Sequence, residues 1–308
     1  MISMVIPTRN RSHTLRLVAP SYFSQEMVSE IIFVSDAGDD DSEAVLRDIA
    51  RHYPEVVFHF LRNETRQGAS QSRNIGIAVS KHPFVLFCDD DEYLEPGYAS
   101  VCLKKLISYR AGAVSGRRVY MQTGETQQQA LQRFGKGMRN TAPFRPVLCE
   151  YVNGARFEGD IKLPFTNAII LTRRELLLQY PFDAHYARGN GYREETDYQM
   201  NLFVNEHDIY VTNDVHSVHL PMSQVRTGGQ RTGKLKRLYW SMYYTRYFFD
   251  KYYRQYAARM RLRTPQWLAL LAFCSFAIYR DTLQPPLYAI AMHIIRMRQR
   301  AIPRPAAS

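Results

Sequence analysis

The 308-residue sequence predicts an α/β protein: a mostly parallel sheet flanked by helices, followed by a helical, basic and aromatic C-terminal extension. Three observations carry that expectation. Short apolar runs alternate with amphipathic segments of helix length through the first hundred residues. Polar clusters follow the apolar runs at once, where open α/β sheets bind ligands, outside the carboxyl ends of their strands. The charge also changes sign near residue 225: the chain carries +11 overall, yet residues 226–263 hold eleven basic residues and one acid, and the part before them is slightly acidic.

The elements follow in order. Residues 2–6 form a short apolar strand stopped by Pro7, and Ser12 starts a helix toward Val18. Residues 31–34 form a second strand, leading into the polar turn Ser35-Asp36-Ala37-Gly38-Asp39. A helix over 42–52 carries Ala44, Val45, Ile49 and Ala50 on one face. A third strand spans 56–61, a helix 68–80, and a fourth strand 84–88. Beyond Gly97 the alternation weakens. A helix through Tyr109, a strand at 113–120, a strand-like stretch at 168–171 and a helix over 194–205 are expected. The stretch 122–146, rich in Gln, Gly and Arg, reads as a mobile loop or small insertion.

The most informative segment is Phe84-Val-Leu-Phe-Cys-Asp-Asp-Asp-Glu-Tyr-Leu-Glu-Pro-Gly97. Three aspartates packed at a strand end repel one another, so a fold tolerates them best beside a cation. Hard divalent ions such as Mn²⁺ and Mg²⁺ take oxygen ligands and often bridge carboxylates to phosphates. A solvated acidic turn is the plainer reading; the strand-end context favours a metal–diphosphate site. Four scattered cysteines without CxxC spacing suggest reduced thiols and a cytoplasmic protein. The N-terminus is too short and uncharged for a signal peptide, and no run approaches the roughly 20 apolar residues that span a bilayer. A GxGxxG turn and a Walker A loop are both absent, which argues against dinucleotide oxidoreductases and P-loop enzymes.

Several motifs together resemble the inverting family 2 glycosyltransferases with the GT-A fold, over about residues 2–250. Met4-Val-Ile-Pro-Thr-Arg-Asn-Arg11 resembles the family's first strand and nucleotide-contacting turn, which implies Pro7, Thr8 and Arg9 as donor contacts. Glu30-Ile-Ile-Phe-Val-Ser-Asp-Ala-Gly-Asp39 resembles its second strand, and the base-contacting acid maps to Asp36; the family often has two acids where this chain has Ser35 first. Gly68-Ala-Ser-Gln-Ser-Arg-Asn-Ile-Gly76 matches the loop and helix after strand three, where Arg73 either steadies a diphosphate or braces the acidic cluster.

Asp89-Asp90-Asp91 matches the DxD motif. The resemblance assigns Asp89 and Asp90 to the nucleotide sugar and Asp91 to a Mn²⁺ or Mg²⁺ ion. Gly189-Asn-Gly-Tyr-Arg-Glu-Glu-Thr-Asp-Tyr198 resembles the motif whose second acid deprotonates the acceptor, here Glu195, with Asp197 near enough to compete. These acids share one helical turn, and mutual repulsion raises a pKa; an acidic first turn also complements a helix dipole. His219 is either a late metal ligand or a satisfied core histidine. The basic loop Arg226-Thr-Gly-Gly-Gln-Arg-Thr-Gly233 either closes over a diphosphate through Arg226 or Arg231, or serves as a linker.

The division this implies is a catalytic domain over 1–225, with a nucleotide-sugar half (1–121) and an acceptor half (122–225), then the extension 226–308. That extension interleaves cations with Tyr239, Trp240, Tyr243, Tyr244, Tyr247, Phe248, Tyr252 and Tyr253. Apolar runs follow at 267–279 and 287–297, broken up by Pro265, Pro285 and Pro286. Peripheral contact with the cytoplasmic face of a membrane is expected from it, ahead of packing on the catalytic domain; the acidic first 225 residues argue against nucleic acid. The function expected is metal-dependent, inverting transfer of a sugar to an acceptor hydroxyl of a glycan or lipid-linked acceptor, in glycan or glycolipid assembly. UDP is the donor nucleotide implied first, with dTDP or GDP as alternatives. The rival is a non-catalytic, basic membrane- or nucleic-acid-binding protein on a degenerate scaffold of the same fold.

Overall fold

The computed structural model describes residues 1–134, 137–225 and 233–284. The elements run β1 (Ile2–Thr8), α1 (Ser12–Val18), α2 (Pro20–Phe23), β2 (Val28–Ser35), α3 (Ser42–Ala50), β3 (Val57–Arg62), α4 (Gly68–Val79) and β4 (Phe84–Phe87). They continue with β5 (Glu92–Leu94), α5 (Tyr98–Ser108), β6 (Ala113–Tyr120), α6 (Gln127–Phe134), β7 (Phe144–Arg145), β8 (Glu150–Tyr151) and β9 (Asp160–Lys162). The last are β10 (Ile170–Arg173), α7 (Arg174–Gln179), a 3-10 turn Ala184–Ala187, α8 (Glu194–Val204), β11 (Ile209–His219), α9 (Lys234–Arg259), α10 (Gln266–Ile278) and a π-helical turn Tyr279–Leu283.

The main sheet has the order β3-β2-β1-β4-β10-β6-β11-β5, with β9 pairing against β11. Its first half is parallel, as the alternating pattern predicts: β1 lies between β2 and β4, and β2 carries β3. The second half is mixed. β10 runs antiparallel between β4 and β6, and β11 pairs parallel to β6 but antiparallel to β5 and β9.

Strand periodicity divides the core into two layers. Met4 and Ile6, Ile31 and Phe33, and Leu86 face the layer that holds Leu15 of α1, Tyr22 of α2, Leu46 of α3 and Tyr98 of α5. Val5, Ile32, Val34, Val85 and Phe87 face the opposite layer, with Ile77 of α4, Leu177 of α7, Tyr198 of α8 and Phe248 of α9. α4 sits tight on β1 because Gly76 carries no side chain: a Cβ there would lie 2.5 Å from Val5 Cγ1.

Two expectations need correction. The segment 122–146 contains the helix α6, whose Ala130 and Phe134 pack on Val119 and Val218. The mobile loop gives way to the other reading, a small insertion, which carries a narrow amphipathic stripe set among glutamines. The aromatic stripe of α9 also packs inward: Tyr244, Phe248, Phe249, Tyr252, Tyr253 and Tyr256 are buried. A stripe at helical spacing has the same pattern whether protein or lipid covers it, and here much of it is covered by protein. Arg226, Arg231 and the run 287–297 lie outside the described residues.

Candidate active site

The site begins where β4 ends. Cys88 is fully buried, Asp89, Asp90 and Asp91 make the turn, and Glu92 opens β5. The Tyr22 hydroxyl of α2 pins the turn's backbone, within hydrogen-bonding reach of the Asp89 carbonyl (2.6 Å) and of the Glu92 carbonyl. The four carboxylates then fan out to different partners. Asp89 lies between two guanidinium groups, Arg73 at 3.2 Å and Arg118 at 2.9 Å. Asp90 accepts from Thr8 Oγ1 (2.8 Å) and faces Arg11 at 3.5 Å. Asp91 lies 4.0 Å from Arg11 and 3.6 Å from His219 Nε2. Glu92 is completely buried against Arg118.

The second wall is the start of α8. Arg193 takes up the left-handed conformation ahead of it (φ 74°) and is anchored by Thr245 of α9 at 2.9 Å and by the Cys149 carbonyl at 3.0 Å. That anchor fixes where Glu194 and Glu195 point. Glu194 is buried and held by Ser70 Oγ (2.9 Å) and by Arg73. Glu195 keeps 27% of its side chain exposed and lies 3.0 Å from Arg73. Arg73, only 2% exposed, thus touches Asp89 of the β4 turn and both glutamates of α8. Here Arg73 braces the acidic cluster.

Six carboxylates and three guanidinium groups therefore share one crevice. The imbalance shows in their protonation. Burial pushes Asp90 up to about 7 against the pull of Arg11, with Asp91 adding to the rise. Glu194 is raised to about 7 by burial, with Arg73 opposing, and Glu92 is raised for the same reason against Arg118. Asp89 moves the other way: burial raises it, but Arg118 and Arg73 outweigh burial and hold it below the ordinary value. His219 is held below its usual value by burial, against the attraction of Asp91, which favours the neutral ring a metal needs.

The residues present fit a divalent cation. Ligand atoms of Asp91, Glu92 and His219 lie within 4.8 Å of one another. His219 Nδ1 lies 2.6 Å from the Leu220 carbonyl, which fixes the tautomer that turns an unprotonated Nε2 toward Asp91. The β5–β11 ladder sets this up by pairing Glu92 with His219, while the Leu220 amide donates to the Asp91 carbonyl at 2.9 Å. A mixed oxygen and imidazole donor set suits Mn²⁺, and an excess of carboxylate suits either Mn²⁺ or Mg²⁺.

Not every sequence candidate joins the cluster. Asp197 points away: it is 2% exposed and binds Lys251 Nζ (2.8 Å), Tyr186 (2.9 Å) and Tyr252 (3.1 Å), bracing α8 against α9. The expectation that it rivals Glu195 as base is corrected on that ground. The Asp36 carboxylate is engaged internally, accepting from the amides of Gln67 (2.6 Å) and Gly68 (3.0 Å) at the start of α4 and from Asn63 (3.2 Å). Arg9 is exposed and Pro7 half-buried at the end of β1. Sequence reasoning missed Arg11, Arg118, Glu92 and Glu194. One signal was present: in the strand 113–120 the Arg117–Arg118 pair must send one guanidinium to each face, and a buried cation needs an anionic partner.

With this geometry in place, the chain matches the glycosyl transferase family 2 model over residues 3–180. The chain belongs to glycosyl transferase family 2. The chain is 35% identical over 97 residues to an uncharacterized glycosyltransferase of Haemophilus influenzae, a match covering 31% of each chain. It is 30% identical over 105 residues to the GalNAc(5)-diNAcBac-PP-undecaprenol beta-1,3-glucosyltransferase of Campylobacter jejuni, covering 34% of each. The matches thus span about a third of the length of these curated relatives. In fold it is similar to crystal structures of S. aureus TarS 1-349 in complex with UDP (TM-score 0.52, 16% identity) and with UDP-GlcNAc (TM-score 0.54, 14% identity). Each covers 91% of this chain and 82% of that one, and the likeness establishes the GT-A fold.

Proposed function

We propose that this glycosyltransferase moves a sugar from a UDP-sugar to an acceptor hydroxyl with inversion, assisted by Mn²⁺ or Mg²⁺, and that Glu195 is the base. One observation carries the reading: Arg73 joins Asp89 of the β4 turn to Glu195 of α8, so the two acids face each other across a single guanidinium. The S. aureus TarS structures hold UDP and UDP-GlcNAc, which supports UDP ahead of dTDP or GDP. Asp91 and His219, with Glu92 behind them, would hold the ion, and its Lewis acidity would neutralise charge on the departing diphosphate.

The remaining work falls to this chain's own residues. Thr8 fixes the Asp90 carboxylate beside the donor cleft, and Arg118 keeps Asp89 ionised for a ribose or sugar hydroxyl. Glu195, the partly open acid of its pair, takes the acceptor proton on a carboxylate oxygen. The freed oxygen attacks the anomeric carbon from the face opposite the leaving nucleotide diphosphate, so configuration inverts. The Campylobacter relative is named for an undecaprenol-linked glycan acceptor, which supports a glycan or lipid-linked acceptor here. Glu195→Gln should cut nucleotide release from a panel of UDP-sugars by roughly 10²–10⁴-fold with UDP affinity unchanged. Turnover within a few-fold of wild type would remove Glu195 from the role.

Peripheral membrane contact is a further part of the reading. Among the described residues no helix is long and apolar enough to cross a membrane. α10, however, exposes Trp267, Leu268, Leu271 and Ile278, and Arg261 and Arg263 are exposed just ahead of it. Flotation with vesicles of anionic phospholipid should be lost in Leu271→Glu, and equal flotation of both proteins would sink this contact.

A further inference from the structure

We infer that the aromatic ledge at the start of α9, made by the exposed Tyr239 and Tyr243 over the half-buried Trp240, with His185 beside them, binds sugar units of the acceptor. The inference rests on the reading of Glu195 as the acceptor's base and extends it to the acceptor's chemical class.

The ledge is built rather than incidental. Tyr239 is 58% and Tyr243 42% exposed, although neighbouring aromatics of the same helix are buried. Single exposed aromatics need no explanation, but a contiguous group marks a contact surface. The planes of Tyr239 and Tyr243 lie within 16° of parallel, those of Tyr243 and His185 within 17°, and those of His185 and Tyr247 within 20° at 3.9 Å between centroids. The Tyr243 hydroxyl lies 3.1 Å from His185 Nε2, which holds both rings in place. Among the described residues, nothing covers the outer part of this series.

Its position ties it to the catalytic acids. The loop leading into α8 runs directly beneath it. Gly189, at φ +66°, admits the indole of Trp240 so closely that a Cβ would lie 2.4 Å from Cδ2 and Cε2. Two residues on, a Cβ at Gly191 would lie 3.1 Å from Glu194 Oε2. On its other side the same loop rests on the start of α4, where Ala187 leaves no room for a side chain at Gly68. α4 in turn supplies the Ser70 and Arg73 that hold Glu194 and Glu195. Gly189 and Glu195 are six positions apart, so the backbone under Trp240 lies at most roughly 20 Å from that of the base, within reach of a short oligosaccharide.

The chemistry favours a sugar over a lipid. An aromatic face carries negative quadrupole density, and the C–H-bearing face of a pyranose stacks on it while its hydroxyls stay in water. Tyr239 and Tyr243 also bring phenol groups that hydrogen-bond to those hydroxyls. The aliphatic face of α10 offers lipid what this ledge does not.

The test uses the full chain with Trp267→Phe, which leaves Trp240 as the sole indole. Saturated with UDP and Mn²⁺, the protein is titrated with cello-, malto-, laminari- and chito-oligosaccharides of increasing length while Trp emission is followed. At least one series should perturb Trp240, with affinity rising with length, and Tyr239→Ala with Tyr243→Ala should weaken that binding roughly ten-fold or more. Stabilisation by UDP should persist in these variants. Failure of every oligosaccharide to perturb Trp240 while UDP still stabilises would overturn the ledge alone. A Trp240 response to anionic vesicles in place of sugars, or equal sugar affinity in the variants, would overturn it too. Loss of UDP stabilisation in the parent protein would instead bring down the donor reading.

Discussion

Replacing Arg73 by methionine removes a group that touches both walls of the crevice. The side chain is 2% exposed, and its carboxylate partners are unequal: Glu194 is 6% exposed, whereas Asp89 and Glu195 each keep 27%. The two half-open acids recover hydration when the guanidinium goes. Glu194 retains only the Ser70 hydroxyl among its hydrogen bonds at the site. Breaking a buried ion pair by deleting one partner costs about 3–5 kcal/mol, or roughly 6–15 °C in Tm for a chain of this size. The cost depends on pH, because burial already lifts Glu194 to about 7. At pH 6 the orphaned acid is neutralised readily, and at pH 8 each further unit costs about 1.4 kcal/mol. Thermal unfolding followed by circular dichroism, without nucleotide or metal, should show a larger loss at pH 8 than at pH 6. Adding Glu194→Gln to Arg73→Met should restore at least half of the loss at pH 8, since the two residues are coupled. A Tm change under about 2 °C, or strict additivity in the double variant, would refute the claim that Arg73 neutralises Glu194.

Other consequences follow from the same contacts. Because the folded pKa of Glu194 is raised, the folded state keeps that proton longer than the unfolded chain, so its contribution to stability falls as pH rises from about 4.5 to about 7. Glu194→Gln alone should flatten the pH dependence across that window by up to roughly 3 kcal/mol in urea titrations; an unchanged slope would argue against a buried, proton-sharing Glu194. Asp197→Asn should lower stability by about 1–3 kcal/mol through its buried partners while nucleotide release from UDP-sugars stays within a few-fold of wild type, and turnover measured beside unfolding separates this bracing role from that of a base. Gly76→Ala should cost about 1–3 kcal/mol by driving α4 off Val5, again without effect on UDP affinity; a neutral result would mean that α4 shifts freely.

The sequence disclosed the first half of the sheet because each strand there is a short apolar run closed by a polar turn, and both core layers appear as alternation along β1, β2 and β4. β10 was read within two residues, but its antiparallel insertion between β4 and β6 has no local signature. The site was legible where chemistry sits in one segment, as in Asp89-Asp90-Asp91. It was not legible where partners come from far apart: Arg118 meets Asp89 across 29 residues and Arg73 meets Glu194 across 121. Glu195 and Asp197 looked equivalent in sequence, yet two positions on a helix differ by about 200° in direction. One therefore faces the crevice and the other faces Lys251. The stripe of α9 looked the same for protein and for membrane, and only packing against α8 and α10 separates them.

The most direct measurement is thermal unfolding of the wild-type protein and Asp91→Asn with UDP, with Mn²⁺ present or removed by EDTA. At a concentration 100 times the dissociation constant, a ligand adds about 2.7 kcal/mol, a shift that is easily read. The account predicts stabilisation of the wild type by UDP with Mn²⁺, its loss in EDTA, and its absence in Asp91→Asn. Equal stabilisation by UDP in EDTA, or an undiminished shift in Asp91→Asn, would contradict a metal-assisted donor site at the β4 turn.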